Sequence, residues 1–178
     1  MNVFVLCTGR CGSMTLSRAC GHISNYTSAH ESRCKVLGEA RLGYPENHIE
    51  IDNRLTWFLG RLDEKYGDEA IYVHLKRDRE SVAKSFVKRY DRGIMGAYKD
   101  CIMLGMKVAK KDPLDVCRDF CYTVDSNIEF FLKDKTKKME FNLESYETDF
   151  PVFWSLVGAE GDYDSALAEF QVKHNASK

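Results

Sequence analysis

The sequence predicts an α/β fold, a three-layer α/β/α sandwich around a central, mostly parallel sheet. Three observations carry that prediction. A short apolar run, Val3 to Leu6, leads into a glycine-bearing turn and then a helical pattern. The same order of strand, turn and helix recurs from Ala70 to Tyr90. A third strand-like run, Lys138 to Leu143, follows a long helical stretch. Strands that alternate with helices are joined by crossovers, and crossovers produce parallel sheets.

Each element has its own justification. Val3 to Leu6 is continuous and apolar, as a buried parallel strand requires. Thr8, Gly9, Gly12 and Ser13 form a turn, and the helix from about Ser13 buries Leu16, Ala19, Cys20 and Ile23. Ser24 to Pro45 is polar and reads as a loop. His48 to Tyr66 reads as an amphipathic helix with Ile51, Leu55, Phe58, Leu59 and Leu62 on one side, stopped by Gly67 and Asp68. Ala70 to Leu75 is the second strand. Asp78 then caps a helix carrying Val82, Ala83, Phe86, Val87 and Tyr90. Asp91 to Lys111, with Gly93, Gly96 and Gly105, reads as a helix with a mobile start. Pro113 suits the first turn of a helix to about Leu132, with Val116, Phe120, Val124, Ile128 and Phe131 inward. Pro151 to Val157 and Asp164 to Phe170 are short helical pieces. Without repeats, low-complexity tracts or a linker, residues 1–178 read as one domain.

Composition excludes several classes. The chain has 178 residues, 44% hydrophobic and 30% charged, with a formal net charge of −1. A globular protein without a global basic field is expected, which argues against general nucleic-acid binding. Met1 to Leu6 is too short for a signal core and no run approaches a membrane span, so a cytoplasmic location is expected. The seven cysteines are odd in number, and Cys7, Cys117 and Cys121 lie in apolar patterns. They read as buried thiols in a reducing compartment. Zinc-type Cys-x2-Cys spacing is missing, so no metal is expected.

The first turn carries the chemistry. A loop between a strand and a helix offers unpaired amides and the positive end of a helix dipole. Gly9 and Gly12 let the backbone approach a ligand, Arg10 adds positive charge, and Ser13 and Thr15 add hydroxyls. The nucleoside-triphosphate loop requires Gly-Lys-Ser/Thr, but Ser13 follows Gly12 directly. The tyrosine-phosphatase spacing Cys-x5-Arg fails from both Cys7 and Cys11.

Thr8-Gly9-Arg10-Cys11-Gly12-Ser13-Met14-Thr15-Leu16 resembles the 5′-phosphosulfate loop of sulfotransferases that use 3′-phosphoadenosine 5′-phosphosulfate (PAPS). Arg10 falls on the basic position, Gly12 on the glycine and Ser13 on the first hydroxyl. Cys11 and Met14 depart from the family pattern, where hydroxyl residues are usual, and Thr15 is the side chain that can compensate. Tyr72 to Phe86 resembles the family's 3′-phosphate segment, with Arg77 leaving a strand and Ser85 eight positions beyond on the next helix. The resemblance covers about the first half of the chain. It implies a P-loop nucleotide-kinase-like fold, PAPS as sulfuryl donor, 3′,5′-adenosine bisphosphate as product, and no metal.

The same resemblance implies the site residues. Thr8, Gly9, Arg10, Cys11, Gly12, Ser13, Met14, Thr15, Arg77 and Ser85 are the expected donor-binding residues, with Lys173 of the Lys173-His174-Asn175 tail closing over the nucleotide. Arg10 neutralises charge on the leaving phosphate. Glu31 is the favoured base for the acceptor proton, with His30 second, because related sulfotransferases carry a Glu at a comparable distance past the loop and others a His; adjacent residues of an extended loop face opposite ways, so one of the two is expected to face the site. Glu144 takes a structural role. Tyr44 and Trp57 line the acceptor side or belong to the core, and Phe58 belongs to the core. Asp91 to Lys111 is the expected acceptor lid. The acceptor is a hydroxyl or amine of unspecified identity, and a homodimer is one way to complete its side of the site. Two other readings stay open: a nucleotide kinase-like phosphotransferase, and a non-catalytic nucleotide-binding protein of the same fold.

Overall fold

Every side chain of Val3–Leu6 is buried, and this run forms β1, the middle strand of a five-stranded sheet. The computed structural model describes residues 1–105, 110–172 and 174. The other strands are β2 (Thr27–His30), β3 (His48–Ile51), β4 (Ile71–Lys76) and β5 (Lys138–Asn142), in the spatial order β2-β3-β1-β4-β5. All four pairings are parallel. In chain order the helices are α1 (Ser13–Cys20), α2 (Leu59–Tyr66), α3 (Arg79–Val87), α4 (Gly93–Ala97), α5 (Pro113–Leu132), α6 (Tyr146–Val157) and α7 (Tyr163–Ala168).

Side chains alternate across the sheet, so each strand feeds two cores. On one face Phe4 packs against Tyr44, Tyr66 and Tyr72, and Tyr72 meets Phe131 of α5 edge-on. Helix α3 packs against α5 on this side. On the opposite face Phe141 meets Phe153 of α6 and Phe170, while α1 packs against α7. Each fully buried Leu, Ile or Phe stabilises such a core by about 1.5–3 kcal/mol. The outcome is the three-layer α/β fold that the alternation predicted.

The topology creates a crevice. Strands β1 and β4 are neighbours, yet the helices that follow them, α1 and α3, lie on opposite faces. The loops leaving these two strands therefore diverge, and ligands in parallel sheets collect at such switch points.

Two regions depart from expectation. The helix predicted over His48 to Tyr66 is instead β3, a 3-10 turn over Asn53–Trp57, and then α2. In His48-Ile49-Glu50-Ile51 the two isoleucines alternate with polar residues, which is strand period. The polar pair is buried yet satisfied. Glu50 accepts from the backbone amide (2.7 Å) and hydroxyl (2.6 Å) of Ser32, and lies 3.0 Å from His48 Nε2. The second region, Ser24 to Pro45, contains the edge strand β2 and a 3-10 turn over Gly38–Leu42. An edge strand of Thr-Ser-Ala-His has no apolar run to betray it. Its pairing with β3 supplies the order.

Smaller boundaries also move. Helix α6 begins at Tyr146 rather than Pro151. The described part of Asp91 to Lys111 contains α4 and a π-helical turn, Tyr98–Ile102, closed by Met103 N–H to the Tyr98 carbonyl at 2.9 Å. Residues 106–109 lie outside the described residues. Cys7, Cys11, Cys20, Cys117 and Cys121 are buried free thiols, and Cys34 and Cys101 are exposed. Among the described residues no helix is long and apolar enough to cross a membrane.

Candidate anion-binding site

The turn after β1 is built from left-handed backbone. Gly9, Arg10 and Gly12 have φ of 85°, 59° and 89°. Space around both glycines is tight as well. A Cβ on Gly9 would stand 2.8 Å from Asn53 Nδ2, and one on Gly12 2.7 Å from both Leu143 methyl carbons. The turn delivers the chain into α1, whose first turn has no side-chain cap and no acidic residue. The Gly12 carbonyl accepts from Leu16 N–H at 3.0 Å, which starts the helical ladder. The amides ahead of Leu16 have no intrahelical acceptor, and with the helix dipole they form a receptor for an anion.

Three basic or hydroxyl groups converge there. Arg10 Nε donates to Ser85 Oγ of α3 at 3.0 Å. Arg77, at the C-terminal end of β4, donates through Nη1 to the Arg10 carbonyl at 3.3 Å. Burial and the nearby Arg89 and Arg77 guanidiniums hold Arg10 below its ordinary value. Glu144 steadies the far side: its Oε1 accepts from Asp78 N–H at 3.1 Å and lies 3.7 Å from Arg77 Nε. Asp78 caps α3 by accepting from Ser81 N–H at 2.8 Å. The structural role expected of Glu144 thus takes a definite form: it fixes the turn that presents Arg77.

The His30–Glu31 pair divides at the end of β2. His30 Nε2 lies 3.1 Å from Ser13 Oγ, so the imidazole faces the turn. Glu31 has φ of 50°, which swings the chain aside, and its carboxylate pairs with Arg54 at 2.5 Å. The ordering that put Glu31 ahead of His30 is therefore not the one the geometry supports. Ser32, held by the buried Glu50, fixes the bend beyond.

A cleft of about 420 Å³ runs along these groups, lined by Arg10, Gly12, Ser13, Met14, Thr15, His30, Arg77, Leu143, Tyr146, Phe170, Val172 and His174. Tyr146 and Phe170 stack face to face, with centroids 4.9 Å apart and planes 5° from parallel, and both border the cleft. The sequence reading missed Leu143, Tyr146 and Phe170. Their available signal was position: Leu143 and Tyr146 follow the C-terminal end of a strand. Arg77 also borders a second cavity of about 230 Å³, lined among others by Thr8, Lys76, Arg79 and Asp125.

The remaining expected site residues fall in different places. Thr8 is buried, donates to the Gly9 carbonyl at 3.0 Å, and borders the second cavity. Gly9 packs under Asn53. The Cys11 side chain is fully buried, where a hydrogen bond from Cys7 holds its thiol low against the opposing effect of burial. Cys11 therefore offers the cleft only its backbone. Met14 and Thr15 line the cleft. Lys173 and Asn175 lie outside the described residues. His174 lies 2.7 Å from one Glu169 oxygen while His22 lies 3.2 Å from the other. Tyr44 stacks on His48, Phe58 lies beneath Arg41 and Arg61, and Trp57 is half exposed; none of the three lines the cleft.

The chain matches no protein-family model and no curated protein.

Proposed function

We propose that this protein is a sulfotransferase that takes the sulfuryl group of PAPS and passes it to a hydroxyl or amine acceptor. The observation that carries the reading is the meeting of the two phosphate-type segments. Arg10 of the first turn and Ser85 of α3 are hydrogen-bonded at 3.0 Å, and Arg77 reaches the Arg10 carbonyl. A donor with phosphates at both ends of its sugar requires two such groups at a fixed separation. The α1 amides and Arg10 suit the 5′ end, and Arg77 with Ser85 suits the 3′ phosphate. The stacked Tyr146 and Phe170 rings give the same cleft an aromatic surface.

The chemistry asks little beyond positioning and charge. The acceptor oxygen or nitrogen attacks sulfur in line as the bond from sulfur to the phosphate oxygen breaks. Arg10 and the α1 amides neutralise the negative charge that grows on that leaving oxygen. His30 Nε2, which lies 3.1 Å from Ser13 Oγ, exchanges that hydroxyl for the incoming acceptor and removes its proton. Glu31 is engaged by Arg54 and serves as a loop anchor in this scheme.

The test is a thermal-shift comparison of 3′,5′-adenosine bisphosphate with ATP–Mg²⁺, followed by transfer of labelled sulfate from PAPS to a panel of acceptors. A ligand at a hundred times its Kd stabilises the native state by about 2.7 kcal/mol, a readily measured shift. Stabilisation by ATP–Mg²⁺ alone would sink the proposal. Bisphosphate binding without transfer to any acceptor would leave a nucleotide-binding protein without catalysis.

A further inference from the structure

On the α5 face of the sheet, away from the anion cleft, one buried histidine lacks a partner its chemistry calls for. His74 is fully buried, and its Nε2 lies 3.3 Å from Asp125 Oδ1. Asp125 is itself engaged by Arg79 Nε at 3.2 Å, so it stays an acceptor and the imidazole proton belongs on Nε2. Nδ1 then carries a lone pair. Among the described residues that atom is buried with no hydrogen-bond partner. Orphaned buried polar atoms are uncommon in native proteins, and a bound ion is one of the partners that satisfies them.

Two carboxylates stand beside the His74 imidazole. Glu140 is directly across from His74 in the β4–β5 register. Glu129 is one turn beyond Asp125 on α5, so both acids project toward the same strand. One donor atom from each of His74, Glu129 and Glu140 falls within 4.8 Å of the others, and the three residues line one cavity of about 330 Å³. Lys76 Nζ bridges the two glutamates at 3.1 and 2.7 Å. A cation already sits where two negative charges converge.

We propose that His74, Glu129 and Glu140 form a binding site for a divalent transition-metal cation, with His74 Nδ1 as the nitrogen donor. One imidazole and two carboxylates are a ligand set that zinc and its neighbours accept, with water completing the shell. Asp125 takes the position behind the histidine that orients metal-binding imidazoles and raises their basicity. Lys76 is the competitor: it neutralises the glutamates until a doubly charged ion displaces it. The site is independent of the anion cleft and does not rest on the sulfotransferase reading.

The experiment is calorimetric titration of the full chain with Zn²⁺, in a C34S/C101S background that removes the exposed thiols. The expected result is saturable binding of one ion per chain, weakened about tenfold or more by E129Q/E140Q and about tenfold by D125N. Both substituted glutamates are exposed, so that variant keeps the fold. Lys76→Met should bind more tightly, and the His74 ring nitrogen resonances should move on adding Zn²⁺. The proposal is overturned by no saturable binding, by unchanged affinity in E129Q/E140Q, or by unmoved His74 resonances. Weaker binding by Lys76→Met would equally overturn it.

Discussion

Arg10 Nε lies 3.0 Å from Ser85 Oγ, a bond between residues 75 positions apart that ties the turn after β1 to the helix after β4. It spans the switch point of the sheet, and beside it Arg77 Nη1 donates to the Arg10 carbonyl. If the cleft binds 3′,5′-adenosine bisphosphate as proposed, Arg10→Ala and Arg77→Ala should each weaken binding about ten- to a hundredfold, the range for a lost charge-assisted bond. Ser85→Ala should cost less, about fivefold. The R10A/S85A double variant should lose less than the sum of its parts, because the two side chains share one network. Calorimetry with the four variants measures this, and strict additivity would show that the pair does not act together.

The turn at Gly12 is constrained twice, by its φ of 89° and by Leu143. Gly12→Ala should lower stability by about 1–2 kcal/mol from the left-handed backbone alone, with a further loss from the 2.7 Å approach. Adding Leu143→Ala should remove the contact without removing the backbone strain. Denaturant melts of Gly12→Ala with and without Leu143→Ala separate the two effects, and a Gly12→Ala protein as stable as wild type would show that the turn tolerates a side chain.

His30 and Glu31 should part company in kinetics. His30→Asn is expected to reduce kcat about a hundredfold or more while sparing bisphosphate affinity, as loss of a general base does. Glu31→Gln breaks only the Arg54 pair and should leave kcat within about threefold, since partly exposed ion pairs contribute about 0–1 kcal/mol. Single-turnover sulfate transfer reads both. The reverse ranking would return the proton to Glu31.

Acid should unfasten the helix caps. Hydrogen bonds from Ser81 hold Asp78 below the ordinary carboxylate value, and those from Ser165 do the same for Asp162. A depressed native value means that the unfolded chain takes up the proton first. The stability these caps supply is therefore complete above the ordinary aspartate range, about pH 4, and is lost as pH falls through the lower native values. The melting temperature should decline between pH 5 and pH 2, and Asp78→Asn should flatten part of that decline. An unchanged slope would mean that the cap carries no pH dependence.

Thiol chemistry should divide the cysteines. Burial raises Cys117 to about 11 and Cys121 to about 12, so neither forms thiolate near neutrality. Cys34 and Cys101 are exposed. Iodoacetamide at pH 7.5 should modify those two first, with the others reacting only as the protein unfolds. Early labelling of Cys117 or Cys121 by peptide mapping would show that α5 opens locally in the native state.

Sequence and tertiary structure contributed separately to this picture. Strands β1 and β4, helices α1, α3 and α5, and the turn chemistry at Gly9, Gly12 and Asp78 were legible in the sequence. Their signals are local: an apolar run, a glycine, a capping acid, a proline. Strands β2 and β3 were not legible, because Thr27–His30 carries no apolar pattern and His48–Ile51 sits inside a longer stretch with helical spacing. Their strand state depends on pairing with β1 and on the buried bonds that Ser32 and His48 make to Glu50.

The phosphate-type turn was visible by itself, and Arg77 and Ser85 stood out by their spacing. Sequence could not place them against each other. That depends on β1 and β4 being neighbours whose helices leave on opposite faces, a property of strand order alone. The choice between His30 and Glu31 depends on a left-handed residue at the end of an unforeseen strand. The orphaned nitrogen of His74 required a helix and two strands from distant parts of the chain to pack together. Local physics writes the elements into the sequence. Which side chains share a cleft is decided by long-range pairing and burial, which no short window of residues contains.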